Sequence, residues 1–241
     1  MAGHLEDWYR QALGQSILTA ESDQLAGTLS HLFGFHLLQL GCPNEINWLS
    51  KSPIGHHICL HPGPLLEGSV QGDMVAMPFA EDSIDVALLP HVLEFYPHPE
   101  AILAETFRVL LPEGVLLILG FNPWSLFGIK RNFCSRSESI PWHGKFISVS
   151  RLTQQLSELS FEVTQVKRFY HRPPLNDRGW LTRTVFMERL GRKFWPLCGG
   201  LYLLVAKKKV RGMTPLRSTK AKRPRVSIPA GIAEPTTRGT R

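Results

Sequence analysis

Apolar residues at helical spacing and short uninterrupted apolar runs alternate along the chain, from its start to about residue 209. In residues 1–34 the apolar side chains recur three or four positions apart, as in Leu25, Leu29 and Leu32, which predicts helices. The later runs are shorter and are bounded by Gly and Pro, which predicts strands. Helices and strands in alternation predict an α/β protein built around one sheet.

The apolar runs of the first half predict four strands, at residues 35–40, 58–60, 84–89 and 115–119. The last of these, Val115 to Leu119, contains no polar residue, as expected of a strand that is covered on both faces in a mostly parallel sheet. A helix is predicted over residues 99–111. Pro99 suits its first turn, and Pro112 stops it.

The second half of the chain predicts one more helix and a closing pair of strands. The helix covers residues 149–159 and is capped by Ser148 or Ser150. The strands cover residues 161–166 and 201–206, and we expect them to form an antiparallel hairpin at the edge of the sheet. Between them, residues 167–199 are predicted to be an insertion that forms a helical cover.

The net charge of +7 is unevenly distributed. Residues 207–241 contain 11 Lys and Arg and one acid, Glu234, so the rest of the chain is slightly acidic. Residues 210–241 are also rich in Pro, Gly, Ser and Thr, which predicts a basic disordered tail. A tail of this charge is a candidate for weak contact with RNA.

The start of the chain, MAGHLEDWYR, lacks the basic and apolar segments of a signal peptide, and no apolar run is long enough to span a bilayer. We therefore expect a cytoplasmic protein without membrane contact. The four cysteines, which we expect to be reduced thiols, are far apart and form no zinc-binding pattern. His57 and His61 are four positions apart, but on a predicted strand, so no metal site is expected.

One stretch carries a family resemblance: GDMVAMPFAEDSIDVALLPHVLEFYPHPEAILAETFRVLLPEGVLLILGFNP, which begins at Gly72. It resembles the class I S-adenosylmethionine (SAM)-dependent methyltransferases, specifically bacterial members of the methyltransferase type 11 subgroup. The resemblance implies a Rossmann-like domain over residues 35–209, preceded by a helical segment over residues 1–34. It also implies a mostly parallel seven-stranded sheet with a C-terminal antiparallel hairpin and helices on both faces.

The resemblance further implies SAM as the cofactor, bound across the carboxyl ends of the strands. Gly41 lies in the first strand-to-helix turn. Asp73 would accept a hydrogen bond from the adenine amino group, and Met74 would pack on the adenine ring. The end of the fourth strand would lie beneath the sulfonium. Asp73 is alternatively a turn cap, and Gly41 simply the end of a strand. The cofactor-binding positions implied are Gln39, Gly41, His61, Asp73, Met74, Leu89 and Pro90.

Two of the implied sites depart from the family pattern. In the first turn only Gly41 matches the family's glycines, and Pro43 replaces the second one. At the end of the second strand, His61 stands where the family places a carboxylate that accepts from both ribose hydroxyls. As a neutral acceptor, His61 would make one such bond, a loss of about 1.5–3 kcal/mol of binding free energy.

Two polar residues near the implied cleft are candidates for catalysis. His91 follows the fourth strand and is either a general base or a structural histidine. Asn122 begins a loop after the fifth strand that we expect on the substrate side. The function implied is methyl transfer from SAM to an N, O or C nucleophile of an unidentified acceptor, small molecule or macromolecule. The alternative is an inactive methyltransferase-like module that binds RNA or protein.

Overall fold

The chain is described by a computed structural model. It covers residues 7–41, 48–63, 69–134, 141–177 and 197–209, together with residues 179, 183–184, 187–188, 191 and 195. The elements in chain order are α1 (Ala12–Leu29), β1 (His36–Leu40), a 3₁₀ helix (Trp48–Lys51), β2 (His56–His61), β3 (Ser69–Gln71), β4 (Ile84–Pro90), α2 (Val92–Phe95), α3 (Pro99–Val109), β5 (Leu110–Phe121), α4 (Leu126–Cys134), α5 (Val149–Glu158), β6 (Phe161–Phe169) and β7 (Leu201–Lys208).

All seven strands form one sheet in the order β3-β2-β1-β4-β5-β7-β6. Strands β1 to β5 pair in parallel, whereas β7 is antiparallel to both β5 and β6. This confirms the predicted sheet. The antiparallel pair, however, does not extend the sheet in chain order, because β7 inserts between β5 and β6 and leaves β6 at the edge.

The sheet is covered on both faces, because successive side chains of its strands point to opposite sides. In β1, for example, Leu37 packs into one cluster of buried residues and Leu38 into the other. Leu13, Ile17, Leu25 and Leu29 of α1 cover the first face. Helices α3 and α5 cover the second, through Ile102, Leu103, Leu152 and Leu156.

Local signals fix the ends of several elements. Pro99 and Glu100 lie in the first turn of α3 and Arg108 in its last, which suits the helix dipole. The Ser148 hydroxyl accepts from the backbone N–H of Arg151 at 3.3 Å, so Ser148 is the cap of α5. The Asp85 carboxylate accepts from the backbone N–H groups of Phe35 and His36 and holds the amino end of β1.

The structure extends several predicted strands and adds one. β2 and β7 are longer than their apolar runs, and β6 continues to Phe169, so the first residues of the predicted insertion belong to this strand. β3 has three residues, too few for a sequence pattern, and pairs with β2. The predicted tail lies outside the described residues, and the domain boundaries stay predictions.

Two cysteines have a described state. Cys198 is free and exposed, whereas Cys59 is disulfide-bonded. The prediction of reduced thiols is therefore wrong for Cys59, because pairing depends on which cysteines the fold brings together and not on their spacing along the chain. In the part of the chain that the structure describes, no helix is both long enough and apolar enough to cross a membrane.

Candidate functional site

The carboxyl ends of the parallel strands meet at one edge of the sheet, which we call the carboxyl edge. The chain leaves β1 towards β2 and β3 on one side, and β4 and β5 lie on the other. The strand order therefore reverses between β1 and β4. In open α/β sheets, ligands bind in the crevice at such a reversal, outside the carboxyl ends of the strands.

Gln39 and Gly41 form the turn at the end of β1. The Gln39 side chain is buried, and its amide donates to the carbonyl of Gly41 at 3.1 Å. Gly41 has φ +71°, in the left-handed region that favours glycine. A Cβ at Gly41 would lie 3.6 Å from Val92 and 3.8 Å from Met74, which are ordinary contacts. The backbone conformation alone therefore explains the glycine.

His61 lies at the end of β2 and is nearly buried. Its Nδ1 accepts from the backbone N–H of Gly63 at 2.9 Å, a close approach that a Cβ on Gly63 would block at 2.5 Å from the ring. Because Nδ1 accepts, the proton of a neutral His61 ring lies on Nε2. His61 thus offers a hydrogen-bond donor at the position where the family resemblance implies an acceptor.

Asp73 and Met74 lie on the loop between β3 and β4. Asp73 is exposed, and its Oδ1 accepts from the backbone N–H of Val75 at 3.0 Å. Its second carboxylate oxygen has no hydrogen bond within the described part of the chain. Met74 is buried in the same apolar cluster as Leu89 and Val92. The loop therefore carries a carboxylate with one oxygen still able to accept a hydrogen bond, next to a buried apolar side chain.

Leu89 and Pro90 end β4 and pair with Ile118 and Leu119 of β5. The next residue, His91, has φ 55°, a left-handed conformation that is uncommon outside glycine. Its backbone N–H donates to the carbonyl of Leu119 at 3.0 Å. The chain thus turns sharply from the end of β4 into α2, and the ring of His91 points into the protein, where it is 1% exposed.

The His91 ring bridges two buried carboxylates. Nε2 lies 2.8 Å from Oε1 of Glu21 on α1, and Nδ1 lies 2.8 Å from Oε2 of Glu94 on α2. Tyr9 donates to the other oxygen of Glu21 at 3.1 Å, and the backbone N–H of Phe121 donates to the other oxygen of Glu94. Every ring nitrogen and carboxylate oxygen of this buried network is therefore hydrogen-bonded.

The network changes the pKa values of His91 and Glu94. Burial alone would lower the pKa of His91, but the charges and hydrogen bonds of Glu21 and Glu94 outweigh it and raise this pKa from 6.5 to about 10. Burial raises the pKa of Glu94, and the adjacent His91 opposes that rise only in part. His91 is therefore an imidazolium at neutral pH, with both ring nitrogens donating.

Asn122 follows β5 and is also buried. Its amide donates to the backbone carbonyls of Leu197 and Gly199, each at 2.9 Å, and its carbonyl oxygen accepts from the N–H of Trp124 at 3.1 Å. The side chain thus ties the loop after β5 to the segment before β7. Both N–H groups of the Asn122 side-chain amide are hydrogen-bonded to backbone carbonyls, which indicates that the residue holds the loop in its conformation.

An open cleft of about 340 Å³ lies beside this loop. Trp124 forms one wall, and Lys145 and Arg151 contribute two cationic side chains to the lining. The loop that carries Lys145 is attached to the buried network, because the backbone N–H of Lys145 donates to the carbonyl of Glu94 at 2.8 Å. The complete lining is Pro123, Trp124, Asn132, Lys145, Phe146, Ile147, Ser148 and Arg151.

Glu21 and the two cations of the cleft, Lys145 and Arg151, are not predicted from the sequence pattern. Glu21 has a recognisable signal, because it falls on the same helical stripe as Ile17 and Leu25, where an acid is out of place unless it is paired. Lys145 and Arg151 carry no such signal. They are common surface residues, and only the folded chain places them around one cleft.

Comparison with known proteins identifies the relatives of this chain. Residues 59–118 match the family model described as a methyltransferase domain. The uncharacterized protein YafS of Escherichia coli (strain K12) is 32% identical over 226 residues, which cover 92% of this chain and 86% of the relative. The ubiquinone/menaquinone biosynthesis C-methyltransferase UbiE of Roseobacter denitrificans is 40% identical over 53 residues, 22% of this chain and 21% of the relative.

Solved structures share the fold. A SAM-dependent methyltransferase from Thermotoga maritima superimposes with a TM-score of 0.64 at 17% sequence identity, over 85% of this chain and 94% of that protein. A methyltransferase in complex with the Trm112 activator from Haloferax volcanii has the same TM-score at 13% identity, over 88% and 98%. At these identities the likeness concerns the fold of the sheet and its helices.

Proposed function

Since the chain belongs to the class I SAM-dependent methyltransferases, we propose that it transfers a methyl group from SAM to an N, O or C nucleophile of an acceptor. One observation carries the proposal. The turn at Gly41, the Asp73–Met74 loop and the end of β4 lie around the strand-order reversal at the carboxyl edge, where this fold binds its ligands.

The donors and acceptors of this edge fit SAM, with one departure. The second oxygen of Asp73 suits the adenine amino group, because a carboxylate only accepts and an amino group donates. Met74 is buried beside it, in the same apolar cluster as Leu89 and Val92. At the ribose, Nε2 of His61 would donate one bond to a hydroxyl oxygen, in place of the two bonds that a carboxylate accepts. Affinity for SAM would then rest mainly on the adenine end.

Bound SAM supplies an electrophilic methyl group on its sulfonium. The chain itself would contribute alignment and exclusion of water. Leu89 and Pro90 are buried and pair with β5 at the end of β4, and the His91 network fixes the direction in which the chain leaves that strand. We assign His91 a positioning role, since both of its nitrogens are engaged and its raised pKa leaves it without a lone pair to act as a base.

The acceptor would enter through the cleft beside Trp124. This cleft follows β5, next to the strand whose end lies beneath the proposed sulfonium position. Lys145 and Arg151 make the lining cationic, and the exposed ring of Trp124 offers a flat apolar wall. Together they favour an acceptor that carries a negative charge and a planar or apolar part.

Isothermal titration calorimetry with SAM and with S-adenosylhomocysteine tests the proposal. We expect saturable binding of both by the full-length protein and a large loss in Gly41→Val, which forces a β-branched side chain into the left-handed turn. The melting temperature of the variant shows whether it is folded. Absence of binding by the wild-type protein would overturn the enzyme proposal and favour the inactive interaction module.

A further inference from the structure

Helix α4 exposes an apolar stripe at the edge of the cleft. Leu126, Ile129 and Phe133 are three and four positions apart, which places them on one side of the helix, and Phe133 is 86% exposed. Phe127, on another side, is completely buried in the core. The outer side of a surface helix is normally polar, so an apolar outer side indicates that another molecule packs against it.

The stripe continues onto the adjoining loops. Trp124, immediately before α4, is 78% exposed, and Leu197 is exposed as well. The Asn122 side chain binds the backbone of both residues, which places them side by side. We call Trp124, Leu126, Ile129, Phe133 and Leu197 the apolar face. Exposed apolar side chains grouped in this way mark an interaction site.

Two exposed cationic side chains, Lys145 and Arg151, line the cleft beside Trp124 of the apolar face. Residues 121–134 and 141–151 contain four Lys and Arg and no Asp or Glu. Lys130 and Arg131 of α4 are half-buried: Lys130 donates to the carbonyl of Pro174 and lies over the Trp142 ring, and Arg131 lies over the Phe146 ring. Neither has an acidic partner among the residues that the structure describes. Arg151 has a distant ion pair at 3.9 Å with Glu100, in which both side chains are more than half exposed.

We propose that the apolar face is a docking surface for an anionic phospholipid bilayer. Exposed aromatic and aliphatic side chains with Lys145 and Arg151 beside them match the two layers of a membrane surface, since the apolar groups would enter the acyl boundary and the two cations would meet the phosphates. A Trp at the rim suits the interface between them. Such contact needs no segment that crosses a bilayer, because the apolar face would lie on the membrane surface; it would replace the sequence-based expectation of no membrane contact.

The cleft shares Trp124 and helix α4 with the apolar face. A docked protein would therefore hold the opening of the cleft at the membrane surface. Docking itself needs neither SAM nor methyl transfer, so it can be tested separately from the proposed function.

Vesicle co-sedimentation of the full-length protein provides the test. We expect binding to vesicles of phosphatidylcholine mixed with phosphatidylglycerol, and less binding to phosphatidylcholine alone. The triple variant Leu126→Ser, Ile129→Ser and Phe133→Ser should reduce binding to the mixed vesicles by about tenfold or more. Its melting temperature should change by only a few degrees, because Phe133 is 86% exposed and Leu126 and Ile129 are 44% and 54% exposed.

Phe33→Ser with Phe35→Ser is the matched control. Both side chains are 81% exposed, and they lie before the amino end of β1, at the opposite edge of the sheet. This control should bind vesicles like the wild type. Unchanged binding by the triple variant, or equal loss in the control, would overturn the proposal and place the contact elsewhere, for example in the basic tail.

Absence of vesicle binding by the wild type would also overturn it. If the wild type instead self-associates, and the triple variant does not, the apolar face is an interface between two copies of this chain. Calorimetry with SAM on the triple variant separates the two proposals, because loss of docking should leave SAM binding intact.

Discussion

Oε1 of Glu21 lies 2.8 Å from Nε2 of His91, although 70 positions separate the two residues along the chain. The contact joins helix α1, which covers one face of the sheet, to the turn that leaves β4 at the carboxyl edge. Both side chains are completely buried. The N-terminal helix is thereby part of the architecture of the site.

Replacing Glu21 by Gln should lower the free energy of unfolding by about 3–5 kcal/mol, because it removes one partner of a buried ion pair and leaves His91 partly uncompensated. Urea denaturation measures the change. Asp23→Asn on the same helix is the control, since Asp23 is exposed and should change stability by less than about 0.5 kcal/mol. Similar losses in both variants would mean that the buried network does not stabilise the fold.

The stability of the protein should fall at alkaline pH. The folded pKa of His91, about 10, lies above its ordinary value of 6.5. Its contribution is therefore complete below pH 6.5 and is lost as the pH rises towards 10, with a slope of up to about 1.4 kcal/mol per pH unit. The raised pKa of Glu94 acts in the same direction, because a group with a raised folded pKa stabilises the protein less as the pH rises.

Denaturation curves measured between pH 6 and 10 test this slope. The variant His91→Asn, which does not titrate in this range, should show a flatter profile than the wild type at lower overall stability. A wild-type stability that stays constant or rises across this interval would show that His91 is neutral in the folded protein.

Asp73→Asn should weaken SAM binding by about tenfold or more, the effect of losing one charge-assisted hydrogen bond. The Asn side chain can keep the bond from Val75, because its carbonyl oxygen accepts as Oδ1 does now. Its amide group would then donate towards the adenine amino group and repel it. Calorimetry measures the affinity, and exposed Glu81→Gln is the control. Equal affinities for both variants would place the adenine elsewhere.

Asn122→Asp should destabilise the loop after β5 more than Asn122→Ala does. The Asp side chain would set a carboxylate oxygen against the carbonyls of Leu197 and Gly199, which now accept from the amide. We expect a loss of about 1–3 kcal/mol for Ala and a larger one for Asp. Thermal denaturation ranks the two variants, and the reverse order would mean that these two hydrogen bonds are not formed in solution.

The sequence by itself determined the class of fold and the position of most elements. Uninterrupted apolar runs such as Val115 to Leu119 predict buried strands, because a strand covered on both faces needs no polar side. Pro99 and Ser148 mark helix starts through local effects on the backbone. These signals act within a few residues and can therefore be recognised without a structure.

The tertiary structure alone decided the site. The insertion of β7 between β5 and β6, the burial of Glu21 against His91, the acceptor role of Nδ1 in His61 and the cationic cleft of Lys145 and Arg151 all depend on which segments meet in space. The apolar face has the same origin, because Leu126, Ile129 and Phe133 have the helical spacing of a core stripe, and only packing decides which side of a helix is buried.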